Sequence, residues 1–250
     1  NKAQLIHITK PTRFKKVYIP EQGFKSCEWY TCEFLNMLNE MVRRVLNSTF
    51  DFSRVMNIDK VYFTRRKLRK AINSEFGEEY FENYFIENGY TSLAPEILSL
   101  EEQIYVWNHA SRIVCMNGTI PLNVMFAANP DLQLLVLNKT SIYHENPMIL
   151  LKMRKIRAVF IDVFKEPLKG YPKSLGEGPY LLWPTNEFKD YCEKHGFNSN
   201  ISSNKEKRYF YLQLLKYFWA VLALKSKIRG AVSKVTPLPL KRVVKLLKRS

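Results

Sequence analysis

Two short polar clusters stand where apolar runs end. Arg65 and Arg66 directly follow Lys60–Thr64 (KVYFT), and Asn117-Gly118-Thr119 directly follows Arg112–Met116 (RIVCM). A guanidinium offers a planar fork of donors that matches the oxygens of a diphosphate. A glycine between a strand and a helix lets backbone N–H groups approach an anion closely, and a helix N-terminus adds a favourable dipole. Both clusters therefore point to phosphate binding. Thr119 adds a hydroxyl to the turn. Asn123, one helical turn further on, either faces the same crevice or simply packs. Arg69 and Lys70 continue the basic run and read equally well as exposed surface charge. Asn73 reads as a helix N-cap, and Glu75 as a carboxylate in the first helical turn.

The elements that must position these residues alternate. Thr31–Leu46 carries apolar residues at Phe34, Leu35, Leu38, Met41, Val42 and Val45, which is helical spacing. Then come a strand at Lys60–Thr64, a helix over Asn73–Asn88 stopped by Gly89, and a short strand at Thr91–Ala94. Ser99 and Glu102 form a capping box for a helix ending at His109. Arg112–Met116, Gln133–Leu137 and Ala158–Val163 read as further strands, with a helix over Pro121–Ala127 between the first two. Strands alternating with helices predict an α/β fold, a Rossmann-like parallel sheet covered on both faces. Gly170–Pro184 reads as an ordered loop and Asn186–Lys194 as a short helix. Residues 198–204 read as a linker, Lys205–Arg229 as a long aromatic helix and Lys241–Lys248 as a small one.

The 250 residues carry a formal net charge of +16, which draws the chain to anions. From Asn204 onward there are thirteen Lys or Arg against the single acid Glu206, so most of the excess sits in the tail. That concentration makes nucleic acid an unlikely partner for the body of the fold. The tail helix either packs over the core or lies on a membrane, with Lys225, Lys227, Arg229, Lys241, Arg242, Lys245, Lys248 and Arg249 drawn to anionic lipid. Its apolar run, Tyr209–Leu224, contains Gln213 and Lys216 and falls short of the ~20 residues that span a bilayer. Four cysteines, Cys27, Cys32, Cys115 and Cys192, form no C-x-x-C pair and fit a reducing compartment. There is no D-x-D triplet, and the His and Cys spacing does not suit zinc, so no metal site is expected.

Three blocks carry a family likeness. They are KVYFTRRKLRKAINSE (Lys60–Glu75), NGYTSLAPEILSLEEQIYVWNHASRIVCMNGT (Asn88–Thr119) and PLNVMFAANPDLQLLVLNKT (Pro121–Thr140). Together they resemble glycosyltransferases of family 61, the capsular polysaccharide biosynthesis type. The resemblance implies a GT-B architecture of two Rossmann-like halves, of which this chain matches the C-terminal, donor-binding half. Residues 1–58 would be the remnant or linker of an N-terminal acceptor half, 59–200 the nucleotide-sugar-binding domain and 201–250 a basic helical tail. It implies sugar transfer from a nucleotide sugar to a glycan or lipid-linked acceptor, with no cofactor beyond that donor and no metal, in the cytoplasm at the inner membrane face.

On that reading the donor-binding residues are Arg65, Arg66, Asn117, Gly118, Thr119 and Asn123. The chain departs from the family pattern at Asn117-Gly118, where many relatives carry His-Gly, and at Leu137-Asn138-Lys139, where many carry an acid. No catalytic base is assigned among His7, His109, His144 and His195. The competing readings are a polyanion or nucleic-acid binding module, and a membrane-associated protein that keeps the fold without the chemistry.

Overall fold

The computed structural model describes residues 7–19, 21–197 and 204–232. The linker expected over residues 198–204, except Asn204, and the small helix expected over Lys241–Lys248 lie outside them. In chain order, β1 (Phe24–Lys25) and β2 (Trp29–Tyr30) form a hairpin before α1 (Cys32–Leu46). There follow β3 (Lys60–Phe63), α2 (Arg69–Ile72), β4 (Glu75–Phe76), α3 (Glu78–Glu87), β5 (Thr91–Leu93), α4 (Leu100–His109) and β6 (Arg112–Met116). A 3-10 helix, Ile120–Phe126, leads to β7 (Gln133–Asn138), α5 (Asn146–Arg154), β8 (Ala158–Asp162) and β9 (Phe164–Lys165). The last elements are β10 (Tyr180–Leu182), α6 (Asn186–Lys194) and α7 (Asn204–Val232).

The main sheet runs β5-β3-β6-β7-β8, and every neighbouring pair is parallel. Strand alternation sends residues to two opposite cores. Val61, Phe63, Ile113, Cys115, Leu134 and Val136 pack on one face with Leu38 of α1, Trp107 of α4 and Leu150 of α5. Tyr62, Val114, Met116, Leu135 and Leu137 pack on the other with Phe81 and Phe85 of α3 and Phe188 of α6. Each such buried large side chain contributes roughly 1.5–3 kcal/mol. The capping box expected at Ser99 and Glu102 is present. Thr31 accepts from the Phe34 N–H at the start of α1, and Ser99 and Glu102 form both bonds of the capping box on α4. Val55 and Leu38 share a core with β3, so residues before Lys60 are part of the same packing unit.

Three expectations are corrected. The stretch expected as one helix over Asn73–Asn88 holds β4 and then α3, and α2 ends just before it. Asn73 is not an N-cap but closes α2, its Nδ2 donating to the Arg69 carbonyl at 2.9 Å. Glu75 lies in a strand because β4 pairs with β10, with Glu75 opposite Tyr180, a partner too distant in sequence for local periodicity to reveal. The Gly170–Pro184 loop accordingly contains β10, which also pairs antiparallel with β9. The helix expected over Pro121–Ala127 is a 3-10 helix.

The small sheet β4-β10-β9 is covered by α7, where Tyr217 and Val221 bury against Leu181. Gly77 joins β4 to α3 with φ 106°, and a Cβ there would lie 2.7 Å from the Leu182 carbonyl oxygen. Gly77→Ala should therefore lower stability by about 1–3 kcal/mol, read as the urea midpoint. An unchanged midpoint would show that the β4–α3 joint tolerates a side chain.

Candidate functional site

The strand order reverses between β3 and β6, since β5 lies on one side of β3 and β6 on the other. In open parallel sheets ligands bind at the carboxyl ends of the strands at such a point. Thr64 and Arg65 leave β3 there, Asn117 and Gly118 leave β6, and Lys139 leaves β7.

Three of the charged side chains at this edge form one buried cluster. Arg65 Nε donates to Glu75 Oε2 at 3.0 Å, and Lys139 Nζ donates to Glu75 Oε1 at 2.6 Å. The three side chains are only 10%, 2% and 3% exposed for Arg65, Glu75 and Lys139. Two cations share one carboxylate, so one positive charge is left unmatched in a poorly solvated place. Burial lowers the Lys139 pKa; Glu75 raises it and Arg65 lowers it further. Lys139 Nζ also lies 4.3 Å from the centre of the Tyr180 ring. The β4–β10 pairing thus brings both the carboxylate and the ring to the lysine.

The cluster faces bare backbone. A Cβ placed on Gly118 would lie 3.5 Å from Arg65 Nη1 and 3.9 Å from Lys139 Nζ. A Cβ there would sit in ordinary contact with both cations, so glycine brings the turn's backbone close to them. Among the described residues, Arg65 Nη1 and Nη2 have no hydrogen-bond acceptor. An anion entering here meets those nitrogens, the ammonium and the turn. The next element is a 3-10 helix whose Thr119 cap makes no side-chain bond, so the turn has no α-helix N-terminus to add a dipole.

Glu78, the first residue of α3, sits behind Arg65. Its Oε1 accepts the Arg65 N–H at 2.6 Å and the Thr64 hydroxyl at 3.4 Å. Burial pushes its pKa up to about 8; the Arg65 N–H opposes this and Glu75 adds to it. At neutral pH Glu78 is mostly protonated, so it fixes the arginine's backbone without cancelling the cluster's positive charge.

The side chains of the other expected site residues do not join the cluster. Arg66 is held by α3, donating to Glu82 at 2.8 Å and to Glu79 at 3.0 Å, and it is half exposed. Asn123 donates to Gln103 Oε1 at 3.2 Å, joining the 3-10 helix to α4. Gln103 in turn donates to the Pro95 carbonyl, a structural tie. Thr119 is exposed at the rim. Asn117 is buried and donates through Nδ2 to Asn138 Oδ1 at 2.8 Å, while its own Oδ1 lies 3.2 Å from His144 Nδ1. Sequence reasoning missed Glu75 and Lys139 as site residues. Lys139 had a usable signal, a cation immediately past a strand, the same signal that marked Arg65.

Among the described residues no three His, Cys, Asp or Glu side chains converge as metal ligands. A cavity of about 500 Å³ between α3 and α7, lined by Tyr80, Tyr84, Glu206 and Tyr209, shares no residue with the cluster.

A family model described as glycosyltransferase 61 matches residues 4–135, more than half of the chain. The match includes β3, β5 and β6 with Arg65, Glu75 and Gly118, and ends within β7 before Lys139. No curated protein and no solved structure gives a significant match.

The raised pKa of Glu78 has a consequence for stability. The folded chain holds this proton above the ordinary carboxylate range, so its contribution to stability is full below pH ~4.5 and falls as pH rises towards about 8. Glu78→Gln keeps an acceptor for the Arg65 N–H but cannot ionise. Its urea midpoint should decline less than the wild type's between pH 5 and pH 8.5. Parallel declines would show that Glu78 is already ionised at low pH.

Proposed function

Because the chain belongs to glycosyltransferase family 61, we propose that it moves a sugar from a nucleotide-sugar donor to a glycan hydroxyl, with the donor diphosphate on Arg65, Lys139 and the Asn117–Thr119 turn. The observation that carries this reading is the cluster itself: two cations share one carboxylate and face the backbone of Gly118 at the point where the strand order reverses. Breaking the bond from sugar C1 to the diphosphate leaves negative charge on the departing oxygen. Fixed cations in a poorly hydrated site stabilise that charge more in the transition state than in the ground state, which is what accelerates transfer. Arg65 supplies two nitrogens without an acceptor among the described residues, and Lys139 a point charge. On this reading they do the work that a divalent cation does in other diphosphate sites, and no metal is needed.

The same reading makes the sheet the donor half of a GT-B enzyme. The acceptor would be a growing surface or capsular glycan, carried on lipid at the inner face of the membrane. No helix among the described residues is long and apolar enough to cross a membrane. One face of α7 supports contact with a bilayer surface instead. Phe210, Gln213, Tyr217 and Val221 turn inward, while Leu212, Leu215, Trp219 and Leu222 are exposed in a helical stripe, Trp219 to 67%. Lys207, Arg208, Lys216 and Lys225 are carried on the same helix, and the sequence beyond it is strongly basic. Apolar side chains flanked by cations suit an anionic lipid surface.

Two measurements test these assignments. Calorimetry with UDP and GDP should show binding of at least one by the wild type. Arg65→Ala should weaken it about tenfold or more, the cost of a lost charge-assisted bond. Failure of a folded wild type to bind either nucleoside diphosphate would overturn the donor site. Co-sedimentation should show stronger binding to vesicles containing phosphatidylglycerol than to pure phosphatidylcholine, reduced by the double change Leu215→Ser, Trp219→Ser. Equal binding to both vesicles, or a variant that binds as the wild type does, would remove the membrane assignment.

A further inference from the structure

We propose that His144 is the general base that takes the proton of the acceptor hydroxyl, held in one tautomer by a one-way chain of hydrogen bonds ending on Asp162. This rests on the transferase reading above. The chain crosses the carboxyl ends of three adjacent strands. Asn138 of β7 donates through Nδ2 to Asp162 Oδ1 of β8 at 2.9 Å. Asn117, just past β6, donates through Nδ2 to Asn138 Oδ1 at 2.8 Å. His144 Nδ1 lies 3.2 Å from Asn117 Oδ1.

The direction follows from the end of the chain. A carboxylate only accepts, so Asn138 must turn its amide nitrogen to Asp162 and its oxygen to Asn117. Asn117 must then present its own oxygen to His144. An oxygen there accepts, so the proton of the imidazole is on Nδ1. The lone pair is left on Nε2, which faces Asn146 Nδ2 at 3.1 Å. Asn146 is oriented in turn, since its Oδ1 accepts from the Ser26 hydroxyl at 2.6 Å and the Cys27 thiol at 2.8 Å. A proton on Nε2 would set two donors against each other and turn Asn146 away from Ser26 and Cys27.

The titratable groups near the ring are Lys139, Cys27 through Asn146, Asp162 through the amides, and the neighbouring Glu145. Burial first, and then the charge of Lys139, hold the His144 pKa below the ordinary imidazole value. His144 is therefore neutral at the pH where a base must act. Its amide partner Asn117 adjoins Gly118, which faces the two cations. An acceptor hydroxyl would replace the Asn146 N–H at Nε2. Its proton passes to Nε2 as its oxygen bonds to sugar C1. The bond from C1 to the diphosphate oxygen breaks, and that electron pair leaves with the nucleoside diphosphate onto Arg65 and Lys139. The imidazolium returns its proton to water.

The test compares the wild type with His144→Gln and His144→Ala. Nucleoside diphosphate affinity is measured by calorimetry. Turnover is measured as nucleoside diphosphate release from whichever of UDP-glucose, UDP-N-acetylglucosamine and GDP-mannose the wild type cleaves. Both variants should bind UDP or GDP within about twofold of the wild type. Both should lose about 10²–10⁴ in kcat, the usual worth of a positioned base. The fall in kcat at low pH should disappear from the profile, and added imidazole should partly restore His144→Ala. Normal kcat in the variants, or a loss that keeps the acid limb and does not respond to imidazole, overturns the proposal. A wild type that neither binds a nucleoside diphosphate nor cleaves any of the three donors overturns the transferase reading, and this proposal with it.

Discussion

Glu75 is buried between two cations, and the rest of the site depends on that arrangement. A lone guanidinium or ammonium would be costly to hold in so dry a place, and together they would repel. The shared carboxylate makes both tolerable and leaves one positive charge over. That residue of charge is what an anion can answer. Each neighbouring feature preserves it: Glu78 is held largely neutral at physiological pH, and Gly118 brings backbone rather than a side chain up to Arg65 and Lys139.

The fold explains how three residues distant in sequence come to one point. Parallel strands β3 and β7 send Arg65 and Lys139 out of the same edge of the main sheet. The carboxylate arrives from a different sheet altogether, because β4 pairs with β10 and lies beneath α7. Covering β10 with Tyr217 and Val221 therefore bears on the site as well as on stability. It holds Glu75 and the Tyr180 ring against Lys139. The long helix that carries an exposed apolar stripe on one face thus secures the charged cluster with the other.

Much of this architecture could be read from the sequence. Apolar runs of strand length, bounded by polar turns and capping boxes, located all five strands of the main sheet to within a residue or two. Arg65 and Gly118 were legible because each directly follows such a run. Glu75 was not, since local spacing placed it in a helix and its true strand partner, Tyr180, lies in a stretch whose glycines and prolines read as a loop. Arg66 was misleading for a local reason: it follows Arg65 in a turn and is drawn to acids on α3. Asn117 and His144 were each visible as polar residues, but the chain that orients them runs on from Asn117 through Asn138 to Asp162, which ends a strand read only for its apolar content. Contacts across strand ends leave no periodic signal, so side-chain networks there emerge only once the strand order is known.

The central claim is that Arg65, Lys139 and the Asn117–Thr119 turn converge on one diphosphate. Titrating the 15N-labelled chain with inorganic pyrophosphate, while following guanidinium, ammonium and backbone amide resonances, tests it without reference to any sugar or base. The account predicts saturable shifts at Arg65 Nη, Lys139 Nζ and the amides of Asn117, Gly118 and Thr119, with the Arg66 side chain little changed. Shifts centred on the cavity between α3 and α7, or spread evenly over surface lysines with Arg65 silent, would contradict it.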